Sequence, residues 1–363
     1  MELIFYKDDL LQATRLLQSV AGRATEMPIL SYILIDAQKD KIQMVATNLE
    51  ILIKMQVNGT IVESGSIAIP ARKLFDIAKE LPPSVLKLTK TVNERAQIEC
   101  EHGRYTIIGL PVEQFPQLAE MPNQSFTFNT AELKYALSKT AFAASREETR
   151  SSLNGVFFHF KKSATTLVAA DGKKLALVEI PKVEIYEEIG LIVPIKAVGE
   201  IQKLFFEENV KVSIAENQIF FADNYSFLSA LLIEGEFPNY NSIIPKDNEL
   251  NFHFDTQKLV SALRRVSVLA NSETRRVIFE IQDGLLKLSA YDKDFGDAYE
   301  EMEIEAWDEN ITIAFDSKSV IEILSHIDSE VVVFNLKGPF SPAIIKPNLN
   351  ESYFFLIAPM RLS

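Results

Sequence analysis

The apolar positions of this chain switch between helical and strand-like spacing, and the switching recurs. Residues 5–21, FYKDDLLQATRLLQSVA, open on Phe5, pass through polar residues able to cap a helix, and continue with apolar residues at helical spacing. Residues 128–144, FNTAELKYALSKTAFAA, and 254–270, FDTQKLVSALRRVSVLA, do the same. A second triple is IPARKLFDIAKEL (69–81), VPIKAVGEIQKLF (193–205) and FDSKSVIEILSHI (315–327). Each turns from a strand end into a short amphipathic helix starting at Pro70, Pro194 or Asp316, and proline suits a first helical turn. A third is MVATNLE (44–50), LVAADGK (167–173) and LSAYDKD (288–294), which aligns Asn48, Asp171 and Asp292. A fourth is EQFPQL (113–118), GEFPNY (235–240) and LIAPMRL (356–362), which aligns Pro116, Pro238 and Pro359. All four markers keep a spacing near one third of the 363 residues. The pattern predicts three similar domains, 1–121, 122–247 and 248–363, with MPNQS and PKDNE as polar crossings.

Within each repeat the order reads helix, strands, helix, strands. Segments such as ILSYILIDA, KIQMVAT, GVFFHF, VIFEI and LLKLSA are short, β-rich and linked by turns, so antiparallel sheets are expected. Two helices packed on antiparallel sheet make each repeat an α+β unit. The helical stretches are expected at 7–26, 71–80, 130–150, 195–208, 256–276 and 317–330.

Charge changes this picture when taken by segment. The chain holds 37 Lys+Arg against 50 Asp+Glu, a net charge of −13, which excludes a protein that holds nucleic acid by bulk positive charge. The six expected helical stretches nevertheless sum to +3, so the acidity lies elsewhere. The stretch 256–276 is the most basic, with Lys258, Arg264, Arg265, Arg275 and Arg276.

Enzymatic chemistry finds little support. His102, His159, His253 and His326 show no metal-ligand spacing, and there is no Walker loop, GxGxxG or GxSxG. A single cysteine, Cys100, excludes a disulfide framework and a multi-thiolate zinc site. Asp171 in ADGK reads as a turn residue and not as a catalytic acid. Neither a cofactor nor a metal is expected. MELIFYKDDL lacks the features of a secretion signal and no run reaches membrane-span length, so a cytoplasmic location without membrane attachment is expected.

A compact domain of this length is roughly 35 Å across. Three such spheres in a closed triangle leave a gap of about 5 Å, and six in a hexagon leave about 35 Å. Closure around duplex DNA would therefore take two chains, head to tail.

The residues also resemble a known family, the bacterial sliding clamp or β subunit of DNA polymerase III. The resemblance covers the whole chain: MPIL (27–30) with NLE (48–50), IPARKLFDI (69–77), SLNG (152–155), ADGKKLA (170–176), EFPNY (236–240) with IIPK (243–246), and APMRLS (358–363). It implies a non-catalytic homodimeric ring of six domains. Helices would line the hole and sheets would form the outer wall. Its partners would be double-stranded DNA, contacted without sequence preference, the polymerase III α subunit, the clamp loader and other proteins carrying the clamp motif.

The resemblance implies three sites. A partner-peptide pocket would have Leu153, Leu175, Pro238, Ile243, Leu356 and Ile357 as its apolar floor, with Gly172, Lys174, Ser341, Pro359, Met360, Arg361 and Leu362 as wall and rim. DNA contacts would come from Arg23, Arg146, Arg150, Lys196, Lys258, Arg264 and Arg265. The dimer interface would set Tyr105 and Ile107 against Val268 and Leu269, and Lys73 and Arg104 against Glu300, Glu301 and Glu303. The chain departs from the family pattern at Lys173-Lys174 (commonly His-Arg), at Ser151 and Ser152 (often aromatic), at Ser242 (Arg in some members) and in its APMRL ending (usually MPMRL). A divergent second clamp and a DNA-free peptide-binding scaffold are the alternative readings.

Overall fold

The computed structural model describes residues 1–22, 27–147, 149–181, 188–304, 310–349 and 352–362. Six helices occur among them: α1 (Lys7–Val20), α2 (Ala71–Glu80), α3 (Thr130–Thr140), α4 (Ile195–Leu204), α5 (Thr256–Val266) and α6 (Ser317–Leu324). All strand pairings among the described residues are antiparallel.

The helices start where the sequence places them; α2 also ends as expected at Glu80, and the other five stop earlier. In α1 the buried residues Leu10, Ala13, Thr14, Leu17 and Val20 form one stripe, which is why this segment is helical. It ends at Val20, and the Gly22 amide then bonds the Leu30 carbonyl; residues 23–26 of the expected stretch lie outside the described residues. α5 is capped by Asp255, whose carboxylate accepts from the Lys258 amide at 2.9 Å. It stops at Val266, ten residues before the expected end. There Asn271 accepts from the Glu273 and Thr274 amides, an Asx turn that competes with helix, and Arg275 sits at φ +52°. Arg275 and Arg276 are therefore not helical: Arg275 pairs with Asp316 at 2.8 Å and Arg276 begins a strand. α3 likewise ends at Thr140, in a single 3-10 turn. The six observed helices carry thirteen basic and seven acidic side chains, a stronger positive bias than the expected stretches gave.

The chain forms two compact units, Met1–Ala131 with Lys196–Leu232, and Glu132–Ile195 with Ile233–Ser363. The first holds a five-stranded sheet, in order Thr60–Glu63, Glu2–Tyr6, Val85–Thr91, Arg95–Cys100 and Gly103–Ile108. It also holds an eight-stranded sheet, in order Phe126–Asn129, Asn209–Ala215, Gln218–Ala222, Ser226–Leu231, Ile51–Val57, Lys41–Thr47, Tyr32–Gln38 and Gly65–Pro70. The second unit holds another eight-stranded sheet, in order Ile189–Pro194, Gly155–Phe160, Ala164–Ala170, Lys174–Pro181, Tyr353–Ile357, Ala343–Pro347, Val331–Leu336 and Leu250–Asp255. Its four-stranded sheet runs Gly296–Glu303, Leu285–Asp292, Arg276–Gln282 and Ile311–Asp316.

Each eight-stranded sheet joins four strands of one repeat to four of the next. In the first unit Ser226–Leu231 pairs with Ile51–Val57, with Leu228 opposite Ile53. In the second, Tyr353–Ile357 pairs with Lys174–Pro181, with Phe355 opposite Ala176. All four of these side chains are fully buried, so each join extends a hydrophobic core as well as a hydrogen-bond ladder.

Candidate partner pocket and nucleic-acid face

The apolar floor expected for the pocket is built in the second unit. Leu153 arrives from a 3-10 turn, Leu175 and Leu356 face each other across the joined strands, and Tyr240 arrives from the turn Tyr240–Ser242. These four pack with Val168, Ala170 and Leu177 as one buried cluster, flanked by the half-buried Phe157, Phe237 and Ile244. Phe157 and Phe237 stack at 4.9 Å between ring centres. Tyr240 is anchored through its hydroxyl, 2.8 Å from His159 Nδ1 and 3.2 Å from Lys161 Nζ. His159 Nε2 in turn lies 2.8 Å from Glu188.

The sequence reading needs correction here. Leu356 and Ile357 cannot both face the pocket, because neighbours on a strand point to opposite sides. Leu356 joins the cluster, whereas Ile357 is 1% exposed and lies outside it. Pro238 and Ile243 are exposed beside it. Tyr240, Phe157 and Phe237 were missed, although EFPNY already marks two of them.

Lys174 is not a free rim cation. Its Nζ lies 2.7 Å from Asp171 and 3.1 Å from Glu322, and the side chain is 8% exposed. Asp171 is the expected turn residue, accepting from the Lys173 and Lys174 amides at 2.8 and 3.0 Å. Burial alone would raise the Asp171 pKa, but the hydrogen bonds from Lys174 and the two amides hold it below the ordinary value. Burial alone would lower the Lys174 pKa, but Asp171 and Glu322 hold it above the ordinary value. The stabilisation is thus complete between about pH 4 and pH 10. It fades as pH falls through the depressed Asp171 value or rises through the raised Lys174 value. Lys174→Met is expected to cost about 1–2 kcal/mol in urea unfolding, because it leaves two half-buried carboxylates without their shared cation. The loss should stay constant from about pH 5 to pH 9; an unchanged midpoint would show that the cluster contributes nothing.

The rest of the rim is placed by backbone contacts. Gly172 has φ +89°, and the Arg150 guanidinium lies against it where a Cβ would stand. Arg150 Nη1 also donates to the Asp171 carbonyl at 2.9 Å. The Ala358 amide donates to Lys173 O at 2.8 Å and the Met360 amide to Ala314 O at 2.7 Å. Arg276 donates to Arg361 O at 3.0 Å. Ser341 is half-buried, and Arg361 and Leu362 are exposed. Beside these residues a groove of about 300 Å³ is lined by Phe142, Arg146, Lys173, Lys318 and Ser319, among others. Among the described residues Arg146, Lys173 and Lys318 make no ion pair.

The expected DNA contacts fare unevenly. Arg23 lies outside the described residues. Arg146, Lys196, Lys258 and Arg264 are exposed. Arg150 is engaged as above. Arg265 makes a bidentate pair with Glu300 at 2.6 and 2.7 Å, which holds the Glu300 carboxyl below its usual range. That pair joins a residue expected at DNA to one expected at the dimer interface, so neither charge stands free.

Comparison with known proteins decides the family. Residues 1–119, 127–239 and 241–361 match, in order, the N-terminal, central and C-terminal domain families of the DNA polymerase III beta subunit. The chain belongs to the DNA polymerase III beta subunit family. It is 29% identical over 366 residues to the beta sliding clamp of Chlamydia pneumoniae, covering all of this chain and 99% of that one. A crystal structure of the sliding clamp from Bartonella birtlesii bound to griselimycin superposes with TM-score 0.94 at 31% identity, over the full length of both chains. The Thermotoga maritima beta subunit gives TM-score 0.93 at 26% identity, again over both full lengths.

In this sliding clamp the residues expected at the dimer interface lie on two strand edges and the elements beside them. Gly103–Ile108 ends the five-stranded sheet and carries Arg104 and Tyr105, both exposed. Ile107 is 8% exposed and already packed in its own domain, so it offers less surface than expected; Ile108, at 66%, offers more. Arg104 pairs with Glu99 at 2.8 Å. Gly296–Glu303 ends the four-stranded sheet, with Glu301 and Glu303 exposed. Val268 is 79% exposed and Leu269 half-buried in the turn after α5. Lys73 is exposed on α2. Among the described residues no group of acids, histidines or cysteines is placed to hold a metal, and no helix is long and apolar enough to cross a membrane.

Proposed function

We propose that two copies of this chain close head to tail into a six-domain ring that slides on duplex DNA. The observation that carries this reading is the pattern of joins between repeats. Twice within the chain, the third strand of one repeat's first sheet pairs with the last strand of the next repeat's second sheet. The third repeat's third strand, Gly296–Glu303, and the first repeat's last strand, Gly103–Ile108, each end their sheet with one edge free of a neighbouring strand. A second copy satisfies both edges with the join the chain already uses, and an isologous pair of such seams closes the assembly.

The helices would face the hole. Their excess of basic residues suits a phosphate backbone without reading bases, and weak contacts permit movement. Retention comes from enclosure, so the net acidity of the chain is no obstacle. The cluster of Leu153, Leu175, Tyr240 and Leu356 would receive an apolar pair from a linear motif, the mode by which a groove recognises a short peptide. The polymerase III α subunit, the clamp loader and other motif-bearing proteins would use it in turn, and the chain itself would carry out no catalysis.

Loaded with clamp loader and ATP, the protein is expected to remain on nicked circular plasmid through gel filtration and to be lost within minutes of linearisation. Equal retention on both forms would refute enclosure.

A further inference from the structure

Beside the apolar cluster runs a short chain of polar groups. On the strand Gly155–Phe160, Phe157 and His159 share one face, and Lys161 continues it past the strand end. Phe157 packs against the cluster that holds Leu153, Leu175, Tyr240 and Leu356. His159 and Lys161 instead meet the Tyr240 hydroxyl, with Nδ1 at 2.8 Å and Nζ at 3.2 Å. On the far side of the imidazole, Nε2 lies 2.8 Å from the Glu188 carboxylate. Tyr240 is only 4% exposed, so its hydroxyl depends on these partners. Donor and acceptor roles then fix the protons. A lysine ammonium only donates and a carboxylate only accepts. The Tyr240 oxygen therefore accepts from Lys161 and gives its own proton to His159 Nδ1, while Nε2–H donates to Glu188. The neutral imidazole protonated at Nε2 satisfies every group in the chain.

We propose that His159 is a positioning residue for the partner pocket and makes peptide binding depend on pH. The inference rests on reading the Leu153–Tyr240 cluster as that pocket. Neutral His159 holds the Tyr240 hydroxyl, and with it the ring that packs against Leu153, Leu175 and Leu356. Ile243, exposed at the rim, follows Tyr240, because its amide bonds the Tyr240 carbonyl at 3.3 Å. A proton added at Nδ1 removes the acceptor. Two donors then face the Tyr240 oxygen, and its own buried O–H has no acceptor left in the chain. His159 keeps Glu188 and releases Tyr240, which loosens the floor and the rim together. Peptide affinity is thus highest where the imidazole is neutral. It falls as pH drops through the range in which histidines gain their proton, about pH 8 to pH 5.

The surroundings of His159 let the proton enter without locking it in place. Glu188 draws it, but that side chain is 65% exposed, so water screens the attraction. Lys161 opposes it, because both nitrogens touch one oxygen and lie within about 6 Å of each other. Across the sheet His159 stands opposite Thr166 on one side and Gly190 on the other, neither of them charged. Glu179, opposite Thr166, is exposed and about 10 Å from His159 by strand spacing, a distance at which salt screens most of its effect. Phe157 and Tyr240 flank the imidazole, with ring centres 5.5 and 6.0 Å away.

Calorimetric titration of the full chain with an N-acetylated, C-amidated Gln-Leu-Ser-Leu-Phe peptide tests the proposal, since that peptide has no group titrating in this range. Affinity is expected to be about five- to tenfold lower at about pH 5.5 than at about pH 8. Tyr240→Phe keeps the ring and removes the hydroxyl. It should bind at pH 8 about as weakly as the native chain does at pH 5.5, with no pH slope. His159→Asn, whose amide oxygen can take the place of Nδ1, should also lose the slope and bind about fivefold more tightly than His159→Leu, which offers no acceptor. A native affinity that is flat between pH 5.5 and pH 8 overturns the proposal, and so does a slope that survives His159→Asn. The imidazole can also be read without peptide. The chain has four histidines, and nitrogen NMR at pH 8 should show His159 as the Nε2–H tautomer. An Nδ1–H tautomer overturns the proposal. Absence of peptide binding at every pH, with the Nε2–H tautomer present, would reject the pocket itself and the proposal with it, so the two failures are distinct.

Discussion

Thr106→Pro is expected to give a folded chain that is monomeric and cannot stay on circular DNA. Thr106 is exposed on the last strand of the five-stranded sheet. In the internal joins the residues on the outer face of this strand type turn their amides to the neighbouring repeat, as Leu231 does to Glu50. The amide of Thr106 therefore faces the unpaired edge in a single chain, where proline is tolerated. Dimerisation needs that amide, and it needs it twice, because both seams carry the substitution. At about 3 kcal/mol per blocked position, the dissociation constant should rise by at least about a thousandfold. Sedimentation measures the mass, and circular dichroism with a thermal melt reports the fold. A dimer of undiminished affinity would show that this edge is not the seam.

Removal of residues 358–363 is expected to weaken binding of a motif peptide by about 100-fold, or ~2.7 kcal/mol, and to leave the dimer intact. The segment is held by the Ala358 and Met360 amides and by Arg276 on the Arg361 carbonyl, so it stands as a fixed wall beside the cluster. It contributes Pro359, Met360 and Leu362 and no residue of the two free edges. Truncation separates binding from folding better than Leu356→Ala, which would empty a site only 3% exposed and destabilise the fold by about 2–5 kcal/mol. Fluorescence anisotropy with a labelled peptide reads the first effect and sedimentation the second. Unchanged peptide affinity rejects the pocket assignment.

Several features of the fold could be read without coordinates. The Phe-led helices begin where the pattern places them, and Asn48, Asp171 and Asp292 each accept backbone amides in turns, as their alignment suggested. Helix ends were read too long in five of six places; after Thr140 and at Asn271 a 3-10 turn and an Asx turn break the ladder without breaking the apolar pattern. The proposed pocket was half legible. Leu153, Leu175 and Leu356 share one buried cluster, but alternation on the strand sets Ile357 outside it, and Lys174, named for the rim, is paired with Asp171 and Glu322. Glu322 lies 148 positions from Lys174, and no local pattern announces a contact at that separation.

What the sequence determined by itself was repetition. Three copies of one pattern, with helical stretches that together carry +3 inside an acidic chain, were legible because apolar periodicity and helix starts are local properties of the chain. What only the tertiary structure decided was pairing. The choice of neighbour for each strand edge, the register of each join, and the capture of Arg265 by Glu300 depend on residues far apart in sequence. That Gly103–Ile108 and Gly296–Glu303 end their sheets follows from that pairing, since a strand edge is known to be free only when the other partnerships have been accounted for.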